Sequence, residues 1–123
     1  ILLSLVGSEM CIRDRENGKE NITIVSSKKE ALHNAQIVTT DVWTSMNDEV
    51  SSKERKKTFK NFFVEEKDME LASSEAVFMH CLPAHRGEEI SFNMLEHDKS
   101  VVWQQAENRL HVQQSLLEFL LAN

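Results

Sequence analysis

The chain has 123 residues, 41% of them apolar and 28% charged, with a net charge of −6. This length suits one modest domain that buries roughly two-thirds of its unfolded surface, and the composition excludes an intrinsically disordered chain. The acidic balance argues against nucleic acid as a partner, since the basic run Lys53-Glu54-Arg55-Lys56-Lys57 has acidic neighbours.

The opening ILLSLVGSEMCIRDR (1–15) has no initiating methionine, an apolar run too short to span a bilayer, and neither the basic region nor the cleavage site of a secretory signal. It reads as neither a membrane nor an export element. Its composition is unlike that of the chain from residue 16 onward, so residues 1–15 are read as a foreign or mistranslated lead and residues 16–123 as the domain. Cys11 and Cys81 sit in unlike contexts and form neither a disulfide framework nor a CxxC pair, which points to a reducing, cytoplasmic setting.

From residue 16 the pattern is regular. NITIV (21–25) is a β-branched run after the Asn17-Gly18 turn signal, and SSKKEALHNA offers a serine cap with Ala31 and Leu32 at helical spacing. QIVTTDVW (36–43) predicts a second strand ending in an aspartate, and KERKKTFKNF (53–62) a charged, exposed helix. EEKDMELASS (65–74) is helix-like, AVFMH (76–80) is a strand of the kind buried on both faces, and SVVWQQ (100–105) is another. In AENRLHVQQSLLEFLLAN, Leu110, Leu116, Leu117, Leu120 and Leu121 predict a helix that packs one apolar face. Strands alternating with helices at this spacing imply an α/β fold, a doubly wound parallel sheet with flanking helices. Ligands of such sheets bind outside the carboxyl ends of the strands. Asp41, Cys81 and the Gln105–Arg109 segment each come directly after a predicted strand and so converge on one edge.

MHCLPAHRGEE (79–89) concentrates the chain's one proline, one of its two cysteines and two of its five histidines. His80, Cys81 and His85 could ligate zinc, but a tetrahedral site wants a fourth ligand and no second Cys/His cluster supplies one. Cys81 beside a histidine could act as a nucleophile, given an orienting carboxylate and an oxyanion donor. The blander reading is a buried cysteine closing a strand. It leaves the proline unexplained: Leu82-Pro83 after a buried strand fixes a sharp turn, where a cis bond is cheap, and exposes the carbonyls of Cys81 and Leu82 to an amide or ammonium.

These eleven residues closely resemble the HCLP signature of the ornithine carbamoyltransferases. TDVWTSM (40–46) is similar to the family's D-x-x-x-S-M motif and QQAENRLHVQQSLL (104–117) to its carboxy-terminal segment, in the family's order. The resemblance spans residues 16–123 and implies the second, ornithine-binding domain of a carbamoyltransferase. The complete enzyme transfers the carbamoyl group of carbamoyl phosphate to the δ-amino group of L-ornithine, giving L-citrulline and phosphate in arginine metabolism. By resemblance Asp41 holds the ornithine ammonium, Ser45 bonds the same end and the backbone at Met46 helps fix the carboxylate. Cys81 is the catalytic residue, contacting the attacking amine; the backbone of Leu82 meets the carbamoyl amide, and Arg109 binds carbamoyl phosphate through a planar, permanently charged fork. Taken singly, Asp41 and Arg109 read better as solvated surface residues, Arg109 pairing with Glu107; the three motifs in order favour the functional reading.

The resemblance implies no metal and no organic cofactor. It implies a cytoplasmic enzyme that is a homotrimer when complete, with no membrane or nucleic-acid partner. Asn47 stands where the family carries glycine, and asparagine tolerates the positive φ such a loop requires. The family's Ser-Thr-Arg-Thr and His-Pro-x-Gln segments, which bind carbamoyl phosphate, are both missing from this sequence; Pro83 being its only proline rules the second out. The amino-terminal carbamoyl-phosphate domain is therefore expected to be absent, and the fragment inactive and not trimeric by itself. Two other readings stay open: a carbamoyltransferase for another amine, such as putrescine or an acylated ornithine, and a non-catalytic amino-acid-binding or scaffold domain.

Overall fold

A computed structural model describes residues 23–44 and 52–122. Its centre is a parallel pair of strands, β1 (Ile37–Thr40) and β2 (Val77–His80), in the register Ile37↔Val77 to Thr40↔His80. The sequence IVTT supplies β-branched residues that suit a pleated surface; VFMH, expected to be buried on both faces, buries Phe78 and His80 and leaves Val77 and Met79 half-buried on the other side. A third segment joins β2 through one parallel bridge, Phe78↔Ser100. The Phe78 N–H donates to the Lys99 carbonyl at 2.8 Å, and the Val101 N–H donates to the Phe78 carbonyl at 3.0 Å.

Among the described residues there are three α-helices: α1 (Lys28–Leu32), α2 (Ser52–Phe59) and α3 (Val102–Leu121). Helix α1 buries Ala31 and Leu32, as its spacing predicts. Its Lys28 Nζ donates at 2.8 Å both to the Phe63 carbonyl and to Asp68 Oδ2, joining α1 to the segment before β2. That segment, expected as a helix over 65–74, is instead a five-residue 3-10 turn, Glu66–Glu70. A reciprocal capping box between Glu65 and Asp68 fixes its start, and the Leu71 N–H turns back to the Asp68 carbonyl at 3.1 Å at its end. Phe78, Ile90, Met94 and Val102 are fully buried and form the centre of the core with Leu32 and Val38. No helix among the described residues is long and apolar enough to cross a membrane.

Three further expectations are corrected. Of the strand expected at 21–25, residues 23–25 are described and are irregular, with Ile24 exposed; β-branched residues become a strand only where a partner takes their backbone groups. The strand expected at 100–105 is a single bridge at Ser100, after which α3 begins. The Gln105 N–H bonds the Val101 carbonyl at 2.8 Å, and Val102 enters the core as a helical residue. A short apolar run does not distinguish a strand from the first turn of a buried helix. The terminal helix forms, but its leucine face is not packed: Leu110, Leu116, Leu117, Leu120 and Leu121 are between 54% and 82% exposed, and Val102 is the helix's one buried residue.

Candidate active site at the carboxyl edge of the sheet

In a parallel pair the residues just beyond matched strand ends emerge side by side. Thr40 pairs with His80, so Asp41 and Cys81 leave the sheet together. The Cys81 thiol donates to Asp41 Oδ1 at 3.0 Å, and the same oxygen accepts the Val42 N–H at 2.7 Å. A carboxylate forty residues away in sequence is thus fixed against the one cysteine of the described residues. Burial of the Cys81 thiol, then the hydrogen bond to Asp41 and the Asp41 charge, push its pKa up to about 11. A backbone hydrogen bond at Cys81 and the positive charge of Arg109 oppose that rise.

Arg109 lies on the exposed side of α3, about two turns beyond its start, close enough for its charge to act on Cys81. Asp41 and Cys81 therefore share one edge, with the Arg109 charge in electrostatic reach of the thiol. The partner suggested for Arg109 in its solvated reading, Glu107, lies 4.0 Å from His111. Ser45 and Met46, together with Asn47, lie outside the described residues.

Leu82 succeeds Cys81 with φ of 52°, and the Leu82-Pro83 bond is cis. The turn thus has the shape its lone proline suggested. It is tied down from several directions. Arg86 forms a two-pronged ion pair with Glu96, both contacts at 2.7 Å, and also donates to the Phe92 carbonyl. Gly87, with φ of 86°, lies under the Phe92 ring, where a Cβ would come within 3.2 Å.

The zinc arrangement of His80, Cys81 and His85 is not assembled. His80 Nδ1 accepts the Leu82 N–H at 2.9 Å, the Cys81 thiol is turned to Asp41, and His85 Nδ1 lies 3.9 Å from Glu89. Among the described residues His85, Glu88 and Glu89 do bring potential ligand atoms within 4.8 Å of one another. Lys56 Nζ already takes a Glu88 oxygen at 2.5 Å, and the His85 N–H takes a Glu89 oxygen at the same distance, which accounts for that grouping without a cation. Sequence reasoning passed over Glu89. Its signal was faint: an acid immediately before Ile90, which is fully buried, must be buried too or turned sharply aside.

Residues 8–120 match the family described as aspartate/ornithine carbamoyltransferase, Asp/Orn binding domain. The chain belongs to that family. Among curated relatives it is 56% identical over 100 residues to an ornithine carbamoyltransferase of Acinetobacter baylyi, covering 81% of this chain and 33% of the relative. It is 52% identical over 103 residues to the anabolic ornithine carbamoyltransferase 1 of Pseudomonas savastanoi pv. phaseolicola, covering 84% and 34%. Among solved structures, the ornithine carbamoyltransferase of Pyrococcus furiosus superposes with a TM-score of 0.77 at 39% identity, over 90% of this chain and 37% of that one. The chain spans about a third of the length of the curated relatives it matches.

Proposed function

We propose that residues 16–123 are the ornithine-binding half of an ornithine carbamoyltransferase, working with an amino-terminal domain of the kind that would fill the rest of its relatives' length. The observation that carries this reading is the Asp41–Cys81 contact at the carboxyl edge, under the charge of Arg109. Each group then has a chemical task. The α-ammonium of L-ornithine offers Asp41 a charge-assisted bond stronger than the one it accepts from the thiol, so substrate entry frees Cys81 to face the δ-amine. The neutral amine attacks the carbonyl carbon of carbamoyl phosphate, the bond from that carbon to the phosphate oxygen breaks, and the amine nitrogen gives up a proton to yield L-citrulline and phosphate. Ser45 and the backbone at Met46 complete the hold on ornithine, Leu82 meets the carbamoyl amide, and the Arg109 guanidinium binds carbamoyl phosphate and stabilises negative charge as it develops.

The residues that would hold most of the carbamoyl-phosphate charge belong to the other domain, so this chain binds ornithine but does not form citrulline alone. The complete enzyme is a cytoplasmic homotrimer, an assembly not expected of these residues by themselves. Calorimetric titration with ornithine, norvaline and putrescine tests the reading. Ornithine binding that disappears in Asp41→Ala, with putrescine bound weakly or not at all, supports it. A chain that binds none of the three is a scaffold, and the proposal fails.

A further inference from the structure

Helix α3 carries a second pattern beside its leucine-rich end. Trp103, Ala106, Leu110, Gln113, Leu117 and Leu120 follow one another at alternating steps of three and four residues. That is the spacing of a seam along which one helix packs on another, and no member of it is charged. All six residues are exposed, and the four large apolar ones are each more than half exposed. Val102 alone among the helix's residues is buried, so α3 is rooted in the core by its first turn and carries the seam outward from there.

The seam is complementary to its own reverse. Two copies of α3 laid antiparallel, with a two-fold axis between His111 and Val112, set Trp103 against Leu120, Ala106 against Leu117 and Leu110 against Gln113. The smallest member thereby meets a leucine, which lets the layers interdigitate. Gln113 is the informative residue, because an amide pressed onto a wholly apolar partner would lose its hydrogen bonds. Beside the two-fold axis the two Gln113 residues are offset by only about 4.5 Å along the helices, and an amide both donates and accepts, so each satisfies the other. Root position selects the direction. Packed helices lie about 8–10 Å apart, less than the radius of gyration of about 13 Å for a domain of roughly 100 residues, so two bodies rooted side by side in a parallel pair would crowd each other. The antiparallel pair puts them at opposite ends of a 20-residue helix, about 30 Å apart.

We propose that this seam of α3 is a docking surface for a second copy of the same chain, and that two chains join through it as an antiparallel helix pair. Covering the exposed parts of Trp103, Leu110, Leu117 and Leu120, with Leu116 and Leu121 at the margins, removes roughly 1,000 Å² over both copies. That is just under the range of stable specific interfaces, so the dimer is weak, with a midpoint on the order of 10–100 μM. Below that concentration the outer turns of α3 are held by their own backbone bonds alone. The pairing depends on α3 and on no property of the proposed function.

Sedimentation equilibrium of the whole 123-residue chain, without ligand, tests it. A single monomer–dimer equilibrium is expected. Leu117→Glu places a charge in the seam and should weaken the dimer at least tenfold, whereas Val112→Glu, on another face of the helix, should leave it within about twofold. Both sites are exposed, so neither substitution threatens the fold. Direction is read by mild oxidation in a Cys11→Ser background. Ala106→Cys combined with Leu117→Cys should give disulfide-linked dimers, because the two positions meet across the axis, and Ala106→Cys alone should not. A chain that stays single at all concentrations leaves the seam to some other partner and overturns the proposal. Open-ended aggregation, or equal weakening by Leu117→Glu and Val112→Glu, shows unspecific apolar contact and overturns it too. Linked dimers from Ala106→Cys alone would show a parallel pair and refute the two-fold fit.

Discussion

The Asp41–Cys81 pair makes a quantitative statement about thiol reactivity. With its pKa at about 11 instead of the ordinary 9.0, Cys81 holds roughly a hundredfold less thiolate at about pH 8 than an unperturbed cysteine, and the thiolate is the form that alkylates. In a Cys11→Ser background, the rate of iodoacetamide modification should therefore be slow at neutral pH and inflect near 11. Asp41→Asn removes the third cause, the charge, while burial remains and the amide oxygen can still accept from the thiol, so the inflection should move down and remain above 9.0. Arg109→Ala should move it the other way, because that guanidinium favours the thiolate. The same perturbation has a sign for stability. A group whose pKa is raised on folding contributes stability in full below its unfolded value, and that contribution is lost as pH climbs through the folded value. The urea midpoint should thus fall between pH 9.0 and about 11, and Cys81→Ala should lack that part of the fall. An inflection of the unsubstituted chain at 9.0, or a profile unmoved by Asp41→Asn, would refute the reasoning.

Lys28→Met strands the buried Asp68 carboxylate without its cation and should cost about 3 kcal/mol in urea unfolding, more than a surface pair would. Phe78→Ala empties the fully buried centre of β2 and should cost about 3–5 kcal/mol, enough to leave the chain largely unfolded if its total stability is ordinary. Replacing Leu116 and Leu120 together by Gln should change unfolding free energy by less than about 0.5 kcal/mol per site, since both are exposed. Size-exclusion chromatography of that variant should show less self-association than the parent chain. A citrulline assay on the unaltered chain with both substrates should read background, and activity above it would reveal a phosphate site within these residues.

The features legible in the sequence were those that depend on local pattern. β1 and β2 are short β-branched or apolar runs bounded by polar residues, and the positions of Asp41 and Cys81 at their ends result from chain direction once the strands are parallel. The turn after β2 was legible because proline restricts its neighbours whatever the tertiary context. The failures lie where partners matter. Val101 and Val102 have a strand-like composition, yet a single hydrogen bond to the Phe78 carbonyl uses up the ladder and the helix takes over. EEKDMELASS has helical propensity along its length, but Lys28, forty residues away from Asp68 in sequence, pins that carboxylate from α1, and the segment stays a five-residue 3-10 turn. Glu89 left only a faint trace in the sequence, because a buried acid is defined by groups that fold against it, here His80 and the His85 amide.

Helix α3 has a consequence for how this chain comes apart. Of its 20 residues only Val102 is buried, so beyond the first turns its cohesion comes mainly from its own ladder of backbone bonds. Isolated helices of about 12–15 residues are marginal in water, which places the outer turns at the low end of local opening free energies while Phe78 and its neighbours open only with the whole domain. Amide exchange should therefore divide the chain into two tempos, a fast outer helix and a slow core around β2. Arg109 sits near their border, so a cation whose charge bears on the thiol is carried by the part of the fold that loosens first.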